Sequence, residues 1–396
     1  MPLRAVLPFL GLVLLQGCAS STVQTTGYVA ADGRAFWHAP KYAGQEQGTG
    51  VSLVAEPEVD LKTESKTHTV AIRPFYRLDP NDEKRSHADL RQASYKLSLE
   101  HFELSAGTGI FTWGVLESYR PSDVLNQTDF VENVDGTAKL GQPYANIGWI
   151  GESASLRLYY LPYFRERTFQ GVRGRLRFPT VIDSDNPLFG SHLKQWQPSG
   201  AARFTLNAGD FDFGAGLFTG LSREPRFVAE LTSGQLVPQY DLIYQGSVDA
   251  QWTLGPFVLK AEGFVRLWSP KLRAFGGGGA GVDYTLFKIV GDADLSFAAE
   301  YLFDTRPVDA PPTFFNHDGF VGLRLAMNDP ASTEILAGAI VDVLDGSTFA
   351  RVGASRRFGD HWKVFLGANV FLGPSGKLES SFLKDNYAQG RVAYFF

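Results

Sequence analysis

The sequence has little of what usually marks a disulfide-bonded, multidomain or helical membrane protein. Its 396 residues include one cysteine, Cys18, so no disulfide can form within the chain. No charge run, low-complexity tract or Pro/Ser-rich linker suggests a domain boundary. After residue 20, no uncharged apolar stretch approaches the ~18 residues that a membrane-spanning helix needs. The net charge of -5, without a basic block, argues against a nucleic-acid partner.

Motifs that carry chemistry are equally scarce. The seven histidines are scattered without metal-ligand spacing, and no phosphate-loop or dinucleotide motif occurs. Nothing marks the Ser-His pair that a hydrolase would need. We therefore predict that the protein is not an enzyme, and we expect no cofactor.

Glycine and aromatic residues are abundant instead. The chain holds 42 Gly, 31 Phe and 15 Tyr but only 2 Met. This composition favours strands over helices, because aromatic side chains fit a pleated sheet better than a helix surface. One large sheet would also explain why no domain boundary is visible.

The N-terminus has the pattern of a secretory signal. Arg4 precedes a short apolar core from Ala5 to Leu15, which is too short to span a bilayer. Two alternatives remain open at Leu15-Gln16-Gly17-Cys18: a lipobox with lipidation of Cys18, or ordinary cleavage after Ala19. The predicted organisation is a signal peptide over 1–18, a short periplasmic tether over 19–26, and a single barrel domain over 27–396.

Side chains alternate with a period of two in many segments. From Phe257 to Trp268, charged residues such as Lys260 and Glu262 lie on one face, and Leu259 and Val265 lie on the other. The segments are about 10–13 residues long, which is the length of a tilted strand that crosses a membrane. Their connectors are short and long in turn. We therefore predict an all-β fold: a transmembrane antiparallel β-barrel of about 18 strands, beginning near Gly27, with short periplasmic turns and long extracellular loops.

The loop from Gly114 to Gly141 is too long for an unstructured connector. We interpret it as a segment that folds inward and narrows the pore, with its acids facing arginines of the barrel wall. The alternative is an external loop held by its own side chains. A calcium site is a weaker alternative, because the spacing of Asp129, Glu132 and Asp135 matches no EF-hand. The predicted constriction residues are Glu117, Asp123, Asn126, Asp129, Glu132 and Asp135.

Strand parity also predicts which charges line the lumen. These residues are Arg73, Arg77, Arg157, Lys260, Glu262, Arg266, Arg324, Arg351, Arg357 and Arg391. Their cationic excess suggests a weak preference for anions. A second loop carries Arg165, Arg167, Arg173, Arg175 and Arg177, which we interpret as a solvated face or a contact with lipid phosphates, and less readily as a funnel for the substrate.

Two features resemble known proteins. The C-terminal segment ending in Tyr394 and Phe396 resembles the assembly signal of bacterial outer-membrane barrels. The blocks Gly109-Ile110-Phe111-Thr112-Trp113-Gly114, Leu161 to Phe169 and Ser222 to Phe227 resemble an uncharacterised family of proteobacterial outer-membrane proteins, itself similar to the alginate-export porin and related large barrels. The resemblance runs from about Gly27 to Pro238. It implies an outer-membrane location, with lipids and the barrel-assembly machinery as partners, and no particular substrate.

These observations lead to two functional hypotheses. The first is a passive outer-membrane channel of porin or exporter type for a small or linear solute, with anions favoured by the lumen charges. The second is a non-conducting barrel with a structural, assembly or partner-binding role in the envelope. A lumen filled by paired charges would favour the second hypothesis, and an open path would favour the first.

Overall fold

The computed structural model describes residues 21–230, 235–269, 273–374 and 379–396. The predicted signal peptide and Cys18 lie outside these residues. The strands are β1 Ser21–Phe36, β2 Thr49–Thr63, β3 His68–Leu78, β4 His87–Ser98, β5 Phe102–Gly109, β6 Gln142–Ile150, β7 Ala154–Leu161, β8 Leu188–Phe189, β9 Ser199–Ala208, β10 Phe211–Leu221, β11 Arg226–Ala229, β12 Leu236–Tyr240, β13 Leu242–Leu254, β14 Phe257–Trp268, β15 Arg273–Val290, β16 Ala293–Asp304, β17 His317–Ala326, β18 Glu334–Asp342, β19 Thr348–Phe358, β20 Trp362–Leu372 and β21 Tyr387–Phe395.

Eighteen of these strands form one closed antiparallel sheet. Each barrel strand pairs with the next barrel strand along the chain, and β1 closes the ring against β21 with Tyr28 opposite Phe395. The predicted barrel and its strand number are confirmed. The prediction succeeds because alternation of side chains is a local property that survives in the folded sheet.

One boundary differs from the prediction. Strand β1 begins at Ser21 rather than near Gly27, and Ser21 lies opposite Thr63 of β2. Residues 21–26 were predicted as a periplasmic tether, but they extend the sheet. Their sequence, Ser-Thr-Val-Gln-Thr-Thr, is rich in residues that favour strands, and β2 supplies the backbone partners.

The outer face of the barrel is an apolar belt. Many large apolar side chains are exposed there, and Val265, Leu217 and Leu366 are each more than 60% exposed. A soluble protein rarely exposes a continuous apolar surface of this size. Exposed aromatic side chains concentrate near both ends of the strands. Phe102, Trp149, Trp252 and Trp362 lie near one end, and Tyr76, Tyr160, Tyr244 and Tyr301 lie near the other. Apolar bands flanked by two aromatic girdles are typical of barrels in a bilayer.

The connections differ between the two ends. Turns such as 209–210 and 359–361 join strands at the short-turn end, where β1 also begins and β21 ends. Segments such as 110–141 and 162–198 join strands at the long-loop end. Within the long loops, β11 pairs with β12 and β12 with β8, forming a small sheet outside the barrel wall. No helix in the described part of the chain is long and apolar enough to cross a membrane.

Candidate functional site: the loop inside the barrel

The loop over residues 110–141 enters the barrel and crosses its lumen. Two carboxylates of the wall hold its first part. Glu262 on β14 accepts a hydrogen bond from the backbone N–H of Val115 at 2.6 Å. Glu300 on β16 accepts hydrogen bonds from the N–H groups of Glu117 and Ser118, at 2.7 and 3.0 Å. The wall carboxylates therefore bind backbone N–H groups of the loop. Such contacts need no particular side chain in the loop, so the loop sequence contains no charge motif that predicts them.

Glycines in the wall let this part of the loop approach closely. The run Gly276 to Gly279 lies in β15, and a Cβ on Gly279 would come within 2.7 Å of Leu116. Leu116 is completely buried there. Trp113 packs in the same way on Gly216 of β10. The glycine run therefore marks a close approach of the loop to the wall.

The middle of the loop is held by buried polar side chains. The amide of Asn126 donates to the carbonyls of Gly109 and Leu140, both at 2.9 Å, and so closes the base of the loop. Asp129 is fully buried and accepts from Arg91 on β4 at 2.6 Å and from Thr168 at 2.8 Å. Its Oδ2 also lies 3.1 Å from Nε2 of His87.

The far side of the loop reaches the wall at two further arginines. Glu132 accepts two hydrogen bonds from Arg77 on β3, at 2.5 and 2.8 Å. Asp135 lies 3.3 Å from Arg351 on β19. Glu117 lies 2.6 Å from Lys260 on β14. Together with Asp129 and Arg91, four of the predicted acids therefore face cations of the barrel wall.

Three of the predicted constriction residues have other roles. Asn126 and Asp129 are at most 1% exposed, and their side chains fix the loop; Asn126 also borders a cavity of the lumen. Asp123 lies 3.8 Å from Lys139 of the same loop rather than opposite a wall arginine. Burial raises the pKa of the Asp123 carboxyl, and the charges of Lys139 and Arg120 partly offset this rise. The prediction treated every acid as pore-lining because sequence alone does not separate buried from exposed loop residues.

The acids do not assemble into a metal site. Asp129, Glu132 and Asp135 each contact a different cationic side chain. Across the described ranges, no group of three or more His, Cys, Asp or Glu side chains is arranged to hold a metal ion.

The predicted lumen charges all lie on inward faces, and most are paired. Arg391 lies 2.6 Å from Asp32, Arg73 lies 3.0 Å from Glu58, and Arg157 lies 4.0 Å from Glu103. The remaining contacts join Arg266 to Glu224, Arg324 to Glu334, and the Arg357 guanidinium to the Phe395 ring at 5.3 Å. Tyr394 faces outward and packs against Trp362, with ring centroids 5.1 Å apart, while the N–H of Phe396 donates to the Gly27 carbonyl at 3.1 Å.

The arginines of the second loop connect the long loops to one another. Arg175 is 5% exposed, lies 2.9 Å from Asp385, and has its guanidinium 4.3 Å from the Phe36 ring. Arg177 is equally buried and donates to backbone carbonyls, including that of Ala43. A solvated or lipid-facing role was therefore wrong for these two residues. Arg173 is exposed and pairs with Glu46 at 2.7 Å.

The described residues enclose a larger and a smaller cavity inside the barrel. The larger, of about 920 Å³, lies between the inward loop and the lumen faces of β15 to β19. The smaller, of about 430 Å³, is lined by β2 to β7 near the short-turn end. The loop therefore leaves space along the β15–β19 side of the lumen, and a smaller space below its contacts with β3 and β4.

Comparison with known proteins supports the fold. No family model and no curated protein matches the sequence. A BenF-like porin from Pseudomonas fluorescens Pf-5 resembles the structure with a TM-score of 0.56 and 9% identity, over 96% of this chain and 98% of that one. Pseudomonas aeruginosa OccK2 (OpdF) resembles it with a TM-score of 0.54 and 9% identity, over the same shares.

A third similar structure is Wzi of Escherichia coli, an outer-membrane protein involved in group 1 capsule assembly and described as a carbohydrate-binding β-barrel. Its TM-score is 0.54 at 10% identity, over 93% of this chain and 84% of that one. The barrel fold therefore matches those of bacterial outer-membrane proteins. The more specific resemblance to a proteobacterial family near the alginate-export porin stays a prediction.

Proposed function

We propose that the protein is an outer-membrane channel in which the inward loop over 110–141 narrows the passage to the β15–β19 side of the lumen. The observation that carries this proposal is the cavity of about 920 Å³ between that loop and the wall. A barrel of this strand number is wide enough to enclose an aqueous passage. A loop that is anchored to several strands of the wall can set the width of that passage. A mobile external loop could not do so.

The charges near the short-turn end support a weak preference for anions. The smaller cavity is lined by Lys62, Arg73, Lys96 and Arg157, against two acids, Asp60 and Glu103. A vestibule with an excess of one charge raises the local concentration of ions of the opposite sign. The solute itself is left open by this proposal.

Conductance of the purified protein in a planar bilayer tests the proposal. We expect discrete conductance steps and, in a salt gradient, a reversal potential on the anion-selective side. Exchanging Lys62 and Arg157 for Glu should move this potential towards cation selectivity. The matched control is Lys288→Glu, which makes the same type of change at an exposed position near the end of β15. Well-folded barrels that never conduct would refute the channel.

The alternative of a non-conducting barrel has one specific observation in its favour. Much of the lumen beside the loop is filled by buried ion pairs, including Arg77 with Glu132 and Arg203 with Asp249 at 2.6 Å. A lumen closed in this way would leave the long loops as the functional surface. This role would be favoured if neither the wild type nor a variant that loses a contact between the loop and the wall, such as Glu132→Gln, conducts.

We further propose that outer-membrane lipids surround the belt, that the barrel-assembly machinery inserts the chain, and that the protein has no enzymatic activity. The exposed belt with its aromatic girdles supports the first point. The outward Tyr394 and the terminal Phe396 support the second, through their resemblance to known assembly signals.

A further inference from the structure

The wall of the larger cavity carries an apolar strip that faces the lumen. The strip consists of Phe320 on β17, Leu336 and Ile340 on β18, and Phe349 on β19. Their inward orientation follows from the sheet register. Leu336 lies opposite Arg324, which pairs with Glu334, and Ile340 lies opposite Phe349, which is two residues from the loop-binding Arg351. The lipid-facing residues of the same strands, such as Val321 and Ile335, have the other parity.

A partly exposed apolar strip is unexpected inside an aqueous barrel. Lumen walls are normally polar, and apolar surface in contact with water is unfavourable. Leu336 is nevertheless 47% exposed on this inward face. The ring of Phe320 lies flat over Gly322 and Gly338, where a Cβ would come within 2.7 and 3.1 Å of it. These glycines flatten the wall and leave the ring at the edge of the cavity.

The opposite side of the cavity adds aromatic surface from the loops. Phe315 stacks on Tyr119 with ring centroids 4.1 Å apart, and both residues line the cavity. The charges around it are balanced, with seven cationic and seven acidic side chains among the lining residues. The exposed head group nearest the strip is that of Arg324, whose side chain is 60% exposed.

We propose that the strip binds the apolar part of a small amphipathic solute while its polar head stays among the balanced charges. This rests on the proposed channel and names the class of solute that the channel would select. A pocket with an apolar wall and a few convergent polar groups is the usual design of a small-molecule site. Because the lining charges cancel, affinity depends more on the length of the apolar part than on the sign of the head group.

Binding to the full-length protein in lipid nanodiscs tests this inference without measuring conductance. The probes are butanoate, hexanoate, hexylammonium and gluconate, with binding to empty nanodiscs subtracted. Each buried methylene adds about fourfold in affinity, so the two additional methylenes should make hexanoate bind about fifteenfold more tightly than butanoate. Hexylammonium should differ from hexanoate by less than that factor, and gluconate should bind more weakly than either six-carbon amphiphile.

Two variants locate the site. Leu336→Asn and Ile340→Asn should each remove most of the dependence on chain length. Thr69→Asn, on the wall of the smaller cavity, is the matched control and should bind as the wild type does. Heat-modifiable electrophoretic mobility shows whether each variant forms a barrel, and Leu336→Ala provides a milder second test if an Asn variant fails to fold.

The outcomes separate the two proposals. Equal affinity for butanoate and hexanoate, a dominant effect of head-group sign, or no binding at all would overturn the inference, and the channel could still conduct. Binding of hexanoate that depends on Leu336, in a protein that never conducts, would support the site and refute the channel.

Discussion

The Nε atom of Arg77 on β3 lies 2.5 Å from Oε1 of Glu132, which follows 55 residues later in the loop that crosses the lumen. The same guanidinium lies 2.9 Å from Asp32 on β1, and its side chain is only 2% exposed. One arginine of β3 thus contacts both β1 and the inward loop. The position of the loop depends on contacts of this kind more than on its own turns.

Removing the Glu132 carboxylate should release the part of the loop that follows residue 123. Breaking a buried ion pair costs about 3–5 kcal/mol when the remaining charge is left without a partner. Asp32 still faces Arg77 at 2.9 Å, so the loss from Glu132→Gln should be smaller than this. For Glu132→Gln we expect faster proteolysis within residues 123–141 and larger or noisier conductance, with an unchanged barrel. Limited trypsin digestion and single-channel recording measure these effects.

The control for this experiment is Glu64→Gln, which removes an acid from an exposed turn between β2 and β3. If both variants are digested and conduct as the wild type does, Arg77 and Glu132 do not hold the loop.

Acid should release the loop at Asp129. Burial by itself raises the pKa of this carboxyl, but the hydrogen bond from His87 and the charge of Arg91 bring the pKa down to about 2, below its ordinary value of 3.8. A depressed pKa contributes stability that is present above about pH 4 and is lost as the pH falls towards about 2. Pepsin, which is active in this range, should therefore cut within residues 110–141 near pH 2 much faster than near pH 4.

In Asp129→Asn this contribution is absent at every pH, so the loop should already be sensitive near pH 4. Asp210→Asn, in the exposed turn between β9 and β10, should keep the wild-type pH dependence. An unchanged pH profile in Asp129→Asn would show that another group controls the loop.

Gly114 should be required where the loop meets the wall. Its φ is +97°, and a Cβ there would lie 2.2 Å from Oε2 of Glu262, the atom that accepts from Val115. Gly114→Ala should therefore cost more than the 1–2 kcal/mol expected for backbone strain alone. Gly136→Ala is a sharp control, since Gly136 also has a positive φ, +77°, but nothing lies within 4 Å of its would-be Cβ.

Hydrogen exchange of the amides of residues 113–118 measures the difference between these two variants. Equal effects would mean that only backbone conformation matters at Gly114, and that Glu262 moves aside without loss.

The barrel could be predicted from sequence because its code is local. Alternation within Phe257 to Trp268 already placed Lys260 and Glu262 on one face, and the structure has them on the lumen side. The hydrogen-bond partners of these lumen-facing side chains could not be predicted in the same way. Glu262 meets a backbone amide 147 residues away, and a backbone amide has no signature in the sequence.

The loop shows the same limit. Parity placed Arg77 and Arg351 in the lumen, and composition suggested acids opposite them, so part of the pairing could be anticipated. The burial of Asn126 and Asp129 could not be predicted, because burial of a loop residue depends on segments that are distant in sequence, such as Thr168 for Asp129. The apolar strip was missed because Leu336 and Ile340 look like lipid-facing residues until the register shows that Leu336 lies opposite Arg324.

The assignment of side chains to the lipid face or the lumen face can be tested by placing a charge on each face of the barrel wall. Val265 on β14 is 62% exposed on the outer belt, whereas Ser355 on β19 faces the lumen opposite Glu334. An arginine on the lipid face should cost about 2–4 kcal/mol, because the guanidinium loses its hydration in the hydrocarbon region. Ser355→Arg should cost little, since the new side chain stays in water near a carboxylate. Folding titrations in urea with phospholipid vesicles give the two free energies directly. If Val265→Arg and Ser355→Arg lose the same stability, the outer face of the barrel does not contact lipid in the way its apolar belt indicates, and the assignment of its inner face would fail with it.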